Sequence, residues 1–211
     1  MRRRLLGSPT VMTLAAFLAV FLCQELVSLV AGRVAMQSLF VLTTPVTHNP
    51  WTVVTSVYAH SGVSHLIANA VALAVVGILL ERQTTPARFH AFFVVAGALS
   101  GLAEVWLAPL TGAVLGGAGQ VSVLGGSGAV FALAGYLLTS NRLTDRVVGT
   151  IQLSPRLQLA AFAAIAVVVT LATARPQVAL VAHFTGLLLG LVAGRVHVLR
   201  PRQKGAQPEP A

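Results

Sequence analysis

Charged residues are scarce in this 211-residue chain: Asp, Glu, Lys and Arg make up 9%. A soluble domain carries roughly 25%, so an ordinary water-facing globular surface is excluded. There is one cysteine, Cys23, inside an apolar run. That excludes an intrachain disulfide and a cysteine-based metal site, and leaves Cys23 as a small apolar residue. The acids are only Glu25, Glu81, Glu104, Asp145 and Glu209, and Lys204 is the only lysine. The resulting net charge of +9 would suit a nucleic-acid partner. However, the arginines form no stripe and have few aromatics among them. They fall in the gaps between apolar runs, so no nucleic-acid binding is expected.

What the chain has in abundance is apolar sequence: 56% of its residues are hydrophobic, and the mean hydropathy is +0.84. A membrane span needs about 20 mostly apolar residues. Windows at roughly 11–32, 62–80, 89–108, 124–140, 157–174 and 178–198 qualify. The first is longer than a cleaved signal's apolar region and is interrupted by Gln24 and Glu25, so a retained helix is expected. All of the 14 Lys and Arg except Arg33 and Arg175 fall on one side of this six-span arrangement. By the positive-inside rule both ends face the cytoplasm, and the second, fourth and sixth spans enter from the outer face. The expected organisation is a cytoplasmic N-terminus (1–10), one membrane domain (11–200) and a polar, disordered tail (201–211). A tight turn is expected at Ala174–Gln177. Residues 33–61, with Phe40, Trp51 and Tyr58, are expected in the outer interface. The uncharged, glycine-rich stretch 109–126 is expected to dip into the membrane as a loop.

Polar groups with chemical potential gather at the outer ends of three spans: His60, His65 and Asn69 on the second, Gly125-Gly126-Ser127-Gly128 on the fourth, and His183 on the sixth. Their shared depth follows from the charge count. Serine is a weak nucleophile until a base takes its proton, and His183 is a suitable base. No acid follows either residue closely, so a Ser–His dyad is the natural reading. His65 and Asn69, at i and i+4, face the same way and could join the Ser127 N–H in stabilising an oxyanion. Gly126 and Gly128 keep side chains away where backbone and substrate must come close. Each feature also has a plain structural reading. Gly-x-Ser-Gly and His183-x-x-Gly186-x-x-x-Gly190 both suit helix packing, and His60 can sit at the interface. It is the convergence of polar groups within spans that points to function. A zinc enzyme would want His-Glu-x-x-His, an aspartyl pair two intramembrane aspartates, and a Ser–Lys dyad a lysine in a span; the sequence has none of these. Glu25 and Glu104 belong to no motif and read as structural.

The stretch His60-x-x-x-x-His65-x-x-x-Asn69, followed by Gly77-x-x-x-Glu81, resembles the second helix of rhomboid proteases. Leu124-Gly125-Gly126-Ser127-Gly128-Ala129-Val130-Phe131 resembles their nucleophile motif, and Ala182-His183-x-x-Gly186-x-x-x-Gly190 their sixth helix. The similarity runs from about Trp51 to Gly194 in order and spacing. It implies an all-α, six-helix membrane bundle with a cavity open to the outer face. It also implies an intramembrane serine endopeptidase with Ser127 as nucleophile, His183 as base, and His65 and Asn69 in oxyanion stabilisation. Gly186 and Gly190 would let the sixth helix approach the fourth, and Glu81 would be a structural polar contact. The implied partners are the lipid bilayer and membrane-protein substrates with a locally unwound transmembrane helix; no metal, nucleotide or other cofactor is implied. The expected location is a prokaryotic plasma membrane.

Three departures stand out. Thr52 follows Trp51 where many relatives have arginine. Phe131 replaces a tyrosine that stacks on the histidine; it can still stack but has no hydroxyl. The first loop is short, without an obvious counterpart of a larger loop structure. Two other readings are a non-catalytic rhomboid-like binder of transmembrane helices and a transporter. The retained serine and histidine speak against the first, and the lack of a convincing internal repeat against the second. Reporter fusions after Gly32 and after Lys204 should report opposite sides of the membrane; same-side readings would overturn the six-span arrangement.

Overall fold

The computed structural model describes residues 7–115, 121–141, 154–173 and 179–201. The expected turn at 174–177 and nearly all of the expected tail lie outside these. Among the described residues are seven α-helices: α1 (Pro9–Phe40), α2 (Thr52–Tyr58), α3 (Val63–Leu80), α4 (Pro86–Leu115), α5 (Ser127–Thr139), α6 (Pro155–Ala172) and α7 (Leu180–Arg195). Two short strands, β1 (Leu42–Thr43) and β2 (Ser122–Val123), pair antiparallel, with Leu42 opposite Val123 and Thr43 opposite Ser122.

The protein is an all-α integral membrane protein. Four of its helical segments are long and apolar enough to cross a bilayer: those in α1, α3 with the turn after it, α4 and α6. They present apolar side chains outward. Leu29, Val30 and Val34 on α1, Val71 and Val75 on α3, and Val168 and Leu171 on α6 are all exposed. An apolar surface of this extent suits lipid, not water. The two remaining apolar helices, α5 and α7, have 13 and 16 residues. At about 1.5 Å per residue they fall short of a hydrocarbon core of about 30 Å. The expected fourth and sixth windows are therefore longer than the helices that form within them.

Helix α1 begins at Ser8, whose Oγ accepts from the Val11 N–H at 3.2 Å, with Pro9 in the first turn. At Gly32 the backbone turns to φ +85°, which only glycine adopts without strain, and the helix breaks there, where the first apolar window ends. The first loop, expected to be short and without a larger loop structure, is well organised. After the break a second helical piece runs to Phe40, followed by β1, a 3₁₀ turn at Val46–His48 and α2. The Trp51 indole N–H donates to the Ser38 carbonyl at 2.9 Å, and the Thr55 hydroxyl to that of Leu39 at 2.6 Å. Thr52 is buried and donates to the Asn49 carbonyl at 2.6 Å. The expected loop at 109–126 is shortened: α4 continues to Leu115, and β2 lies at Ser122–Val123 before the lead-in to α5.

The core is built around α5, with Phe17, Leu73, Phe89, Phe93, Leu133 and Tyr136 in one buried cluster. Helices α5 and α7 are in backbone contact. A Cβ on Gly186 would collide with the Gly128 carbonyl, and one on Gly190 with that of Ala132. Lower down, the Thr139 hydroxyl donates to the Leu191 carbonyl at 2.7 Å. At the far end of α3, Glu81 accepts from the Ser8 hydroxyl at 2.6 Å and the Thr10 N–H at 3.3 Å, tying α3 to the start of α1.

Gly186→Val and Gly190→Val should each force α5 and α7 apart. The expected loss is about 1–3 kcal/mol or more, the usual scale of overpacking. Gly62→Ala is the control, because a Cβ there meets nothing within 4 Å. Unfolding in detergent measures all three, and unchanged stability in both valine variants would rule out the close seat.

Candidate active site

Ser127 is the first residue of α5. The backbone leading into it is held on two sides. The β1–β2 ladder fixes residues 122–123, and the Gly125 N–H donates to the Ser56 carbonyl at 2.8 Å. Gly125 has φ +132°, a conformation that L side chains rarely adopt. The His65 ring also fills the space a side chain would need: a Cβ on Gly125 would lie 2.9 Å from His65 Nε2. Gly126 is buried, with the Phe17 ring against it.

The His65 ring is oriented from its other edge. Nδ1 accepts from the Ser61 N–H at 3.4 Å and lies 3.0 Å from the Ser61 hydroxyl. With Nδ1 accepting, the neutral ring carries its proton on Nε2, on the side of Gly125. Asn69, one turn along α3, is buried, and its amide donates to the His65 carbonyl at 3.1 Å. A second amide proton remains for another acceptor.

His183 lies in the first turn of α7 and is buried. Its ring stacks on Phe131, with centroids 4.3 Å apart and planes 23° from parallel. Phe131 is one turn beyond Ser127, so the stacking expected at this position is present without the hydroxyl. His183 Nδ1 is buried and has no hydrogen-bond partner among the described residues. Gly186, one turn below His183, seats on Gly128, next to Ser127. The nucleophile and base candidates therefore occupy facing first turns of two locked helices. Their side chains are not hydrogen-bonded to each other; such contacts often tighten only when substrate is bound. A cavity of about 20 Å³ beside Ser127, lined by Ser56, Ser100, Gly128 and Ala182 among others, has room for a single water. A larger cavity of about 430 Å³ lies between Gln37, Asn49 and Ser122 and touches none of the candidate residues.

His60 is buried behind His65. Its ring meets Phe17 edge-on at 4.6 Å and His65 at 5.2 Å. Its peptide is clamped by Gln24, whose Oε1 accepts the His60 N–H at 2.9 Å and whose Nε2 donates to the His60 carbonyl at 3.4 Å. Gln24 had a legible signal as a polar residue within an apolar run, but one read as an interruption of the span. Ser56 and Ser61 carry no such signal: Ser56 acts through a backbone carbonyl that any residue has, and a serine such as Ser61 looks the same whether it orients a ring or faces solvent. Glu104, which reads as structural in the sequence, is a buried hydrogen-bonded carboxyl. It comes from α4 to the backbone beside His183, with Oε2 accepting the Ala182 N–H at 2.7 Å.

Among curated proteins, none matches the sequence. The family model described as Rhomboid domain matches residues 47–200. That match takes in α2 through α7 and every candidate residue of the site, and the chain belongs to the rhomboid family.

Proposed function

We propose that this rhomboid-family protein is an intramembrane serine endopeptidase, hydrolysing peptide bonds in or near transmembrane segments of membrane-protein substrates. The observation that carries the reading is the seating of Gly186 on Gly128, which sets His183 and Ser127 on facing helix turns. His183 takes the Ser127 proton as Oγ attacks the scissile carbonyl. The tetrahedral oxyanion is met by the Ser127 N–H, His65 Nε2–H and the free proton of the Asn69 amide. Collapse expels the amine, which takes the proton from His183 and leaves an acyl ester on Ser127. Water, deprotonated by His183, then releases the acid and restores the serine. His60, Gly126, Phe131, Gly186 and Gly190 support this geometry. No metal or other cofactor has a part in it.

In this reading α1, α3, α4, α5, α6 and α7 make six crossings of a bilayer within a single domain. The arginine distribution supports cytoplasmic ends and a site opening to the outer face. Substrates meet the site from the bilayer, and residues that weaken a substrate helix should favour cleavage, because a helical carbonyl is already hydrogen-bonded.

In detergent or proteoliposomes, Ser127→Ala and His183→Ala should each abolish cleavage of a transmembrane substrate while the protein still folds. Their effects should not add, because the two residues act as one unit. A fluorophosphonate should label Ser127, and labelling should be lost in His183→Ala. Cleavage surviving in Ser127→Ala would overturn the dyad, and a wild type that binds but never cleaves would favour the non-catalytic reading. His65→Ala and Asn69→Ala should lower kcat by about 10²–10³, the usual effect of losing an oxyanion donor, with little change in KM. Full kcat with a lowered melting temperature would remove both residues from the oxyanion site.

A further inference from the structure

We propose that Glu104 is a positioning residue for His183, and that α4 sets the spacing between base and nucleophile; this rests on the dyad reading above. Glu104 is one of five acids in the chain and is buried. A carboxyl buried in a membrane bundle is expensive, and its partner says what it does. The first N–H groups of a helix have no partner within the helix. At the start of α7 the N-cap residue, Ala179, has no side chain to serve them. Glu104 serves them instead, from 78 residues away, accepting the Ala182 N–H at 2.7 Å. An acidic oxygen at a helix N-terminus is also favoured by the helix dipole.

The bond ends one residue from His183. The other constraints on His183 act at other points. Phe131 fixes the ring plane, and the Gly186 seat fixes how close the helices come. The bond from Glu104 fixes the turn that carries the imidazole. One turn earlier on α4, Ser100 packs against Gly128, the neighbour of Ser127. A Cβ on Gly128 would lie 2.6 Å from Ser100 Cβ, and the Ser100 hydroxyl is tied to the Ala96 carbonyl at 2.7 Å. Two residues at i and i+4 on one helix thus touch the neighbour of the nucleophile and the neighbour of the base.

The test compares Glu104→Gln, Glu104→Leu and Glu104→Asp with Ser127→Ala and His183→Ala in the same membrane preparation. The readouts are kcat and KM on a transmembrane substrate, the fluorophosphonate labelling rate of Ser127, and melting temperature. Gln keeps an oxygen within reach of Ala182 and should retain kcat and labelling within about threefold, since the hydrogen bond is preserved. Leu removes the acceptor, and Asp draws it back by one methylene. Both should lower kcat and labelling by roughly 10–100-fold, as small misplacements of a catalytic group do, with KM nearly unchanged. If the Leu variant does not fold, the Asp variant decides. Wild-type kcat in Leu or Asp overturns the proposal, as does an equal loss in Gln. So does a loss of kcat that merely follows melting temperature. Cleavage by Ser127→Ala would overturn the dyad itself and this proposal with it. An inactive Ser127→Ala beside an unimpaired Glu104→Leu would overturn the proposal alone.

Discussion

The contact on which the rest of the structure depends is the backbone seat of α7 on α5, made at Gly186 against Gly128 and at Gly190 against Ala132. In a bilayer, lipid tails are as apolar as leucine, so helices are not driven together by escape from water. They associate through close van der Waals contact and hydrogen bonds, and small residues permit both. The seat is why α5 and α7 are the helices at the centre, and why their first turns face each other. It also explains how Thr139 reaches a carbonyl on the neighbouring helix. A side chain at either glycine would widen the gap between the turns that carry Ser127 and His183.

Beyond this seat, buried and half-buried polar groups act as fasteners. Each would be unfavourable if left unpaired in an apolar surrounding. Gln24 clamps the His60 peptide, Glu81 gathers the start of α1, and Glu104 caps α7. At the opposite end of the bundle from the candidate site, the Arg88 guanidinium donates to the Val198 and Arg200 carbonyls, and the Tyr136 hydroxyl accepts from the Leu199 N–H. That holds Leu199 buried in the core beyond the end of α7. The membrane setting thus turns a small set of polar side chains into long-range links, while the apolar majority faces lipid or fills the core.

The segment between α1 and α3 has a further role. By pairing β1 with β2 and offering the Ser56 carbonyl to the Gly125 N–H, it steadies the strand that delivers Ser127. The serine's approach is therefore shaped by a part of the chain some seventy residues earlier. Phe131 and Thr52 both fit locally: Phe131 stacks on His183, and Thr52 closes the turn at the start of α2.

Much was legible in the sequence because bilayer physics writes it there. Apolar windows marked the helices, and Gly32 ended the first window where the helix breaks. The motifs around His65, Ser127 and His183 are local, so their membership of one family could be read residue by residue, and the Rhomboid match bears that out. The organised segment after Gly32 was not legible. Its pieces are too short for periodicity and are held by single side-chain bonds to distant carbonyls. Nor were the lengths of α5 and α7, since apolar sequence continues past the ends of both helices. Gln24 and Glu104 show the limit most clearly. Sequence alone established that a polar group sits in an apolar run, an expense that needs a partner. Only the tertiary structure decided which partner, because a hydrogen bond spanning 36 or 78 residues depends on how helices pack, and that leaves no periodic trace in the chain.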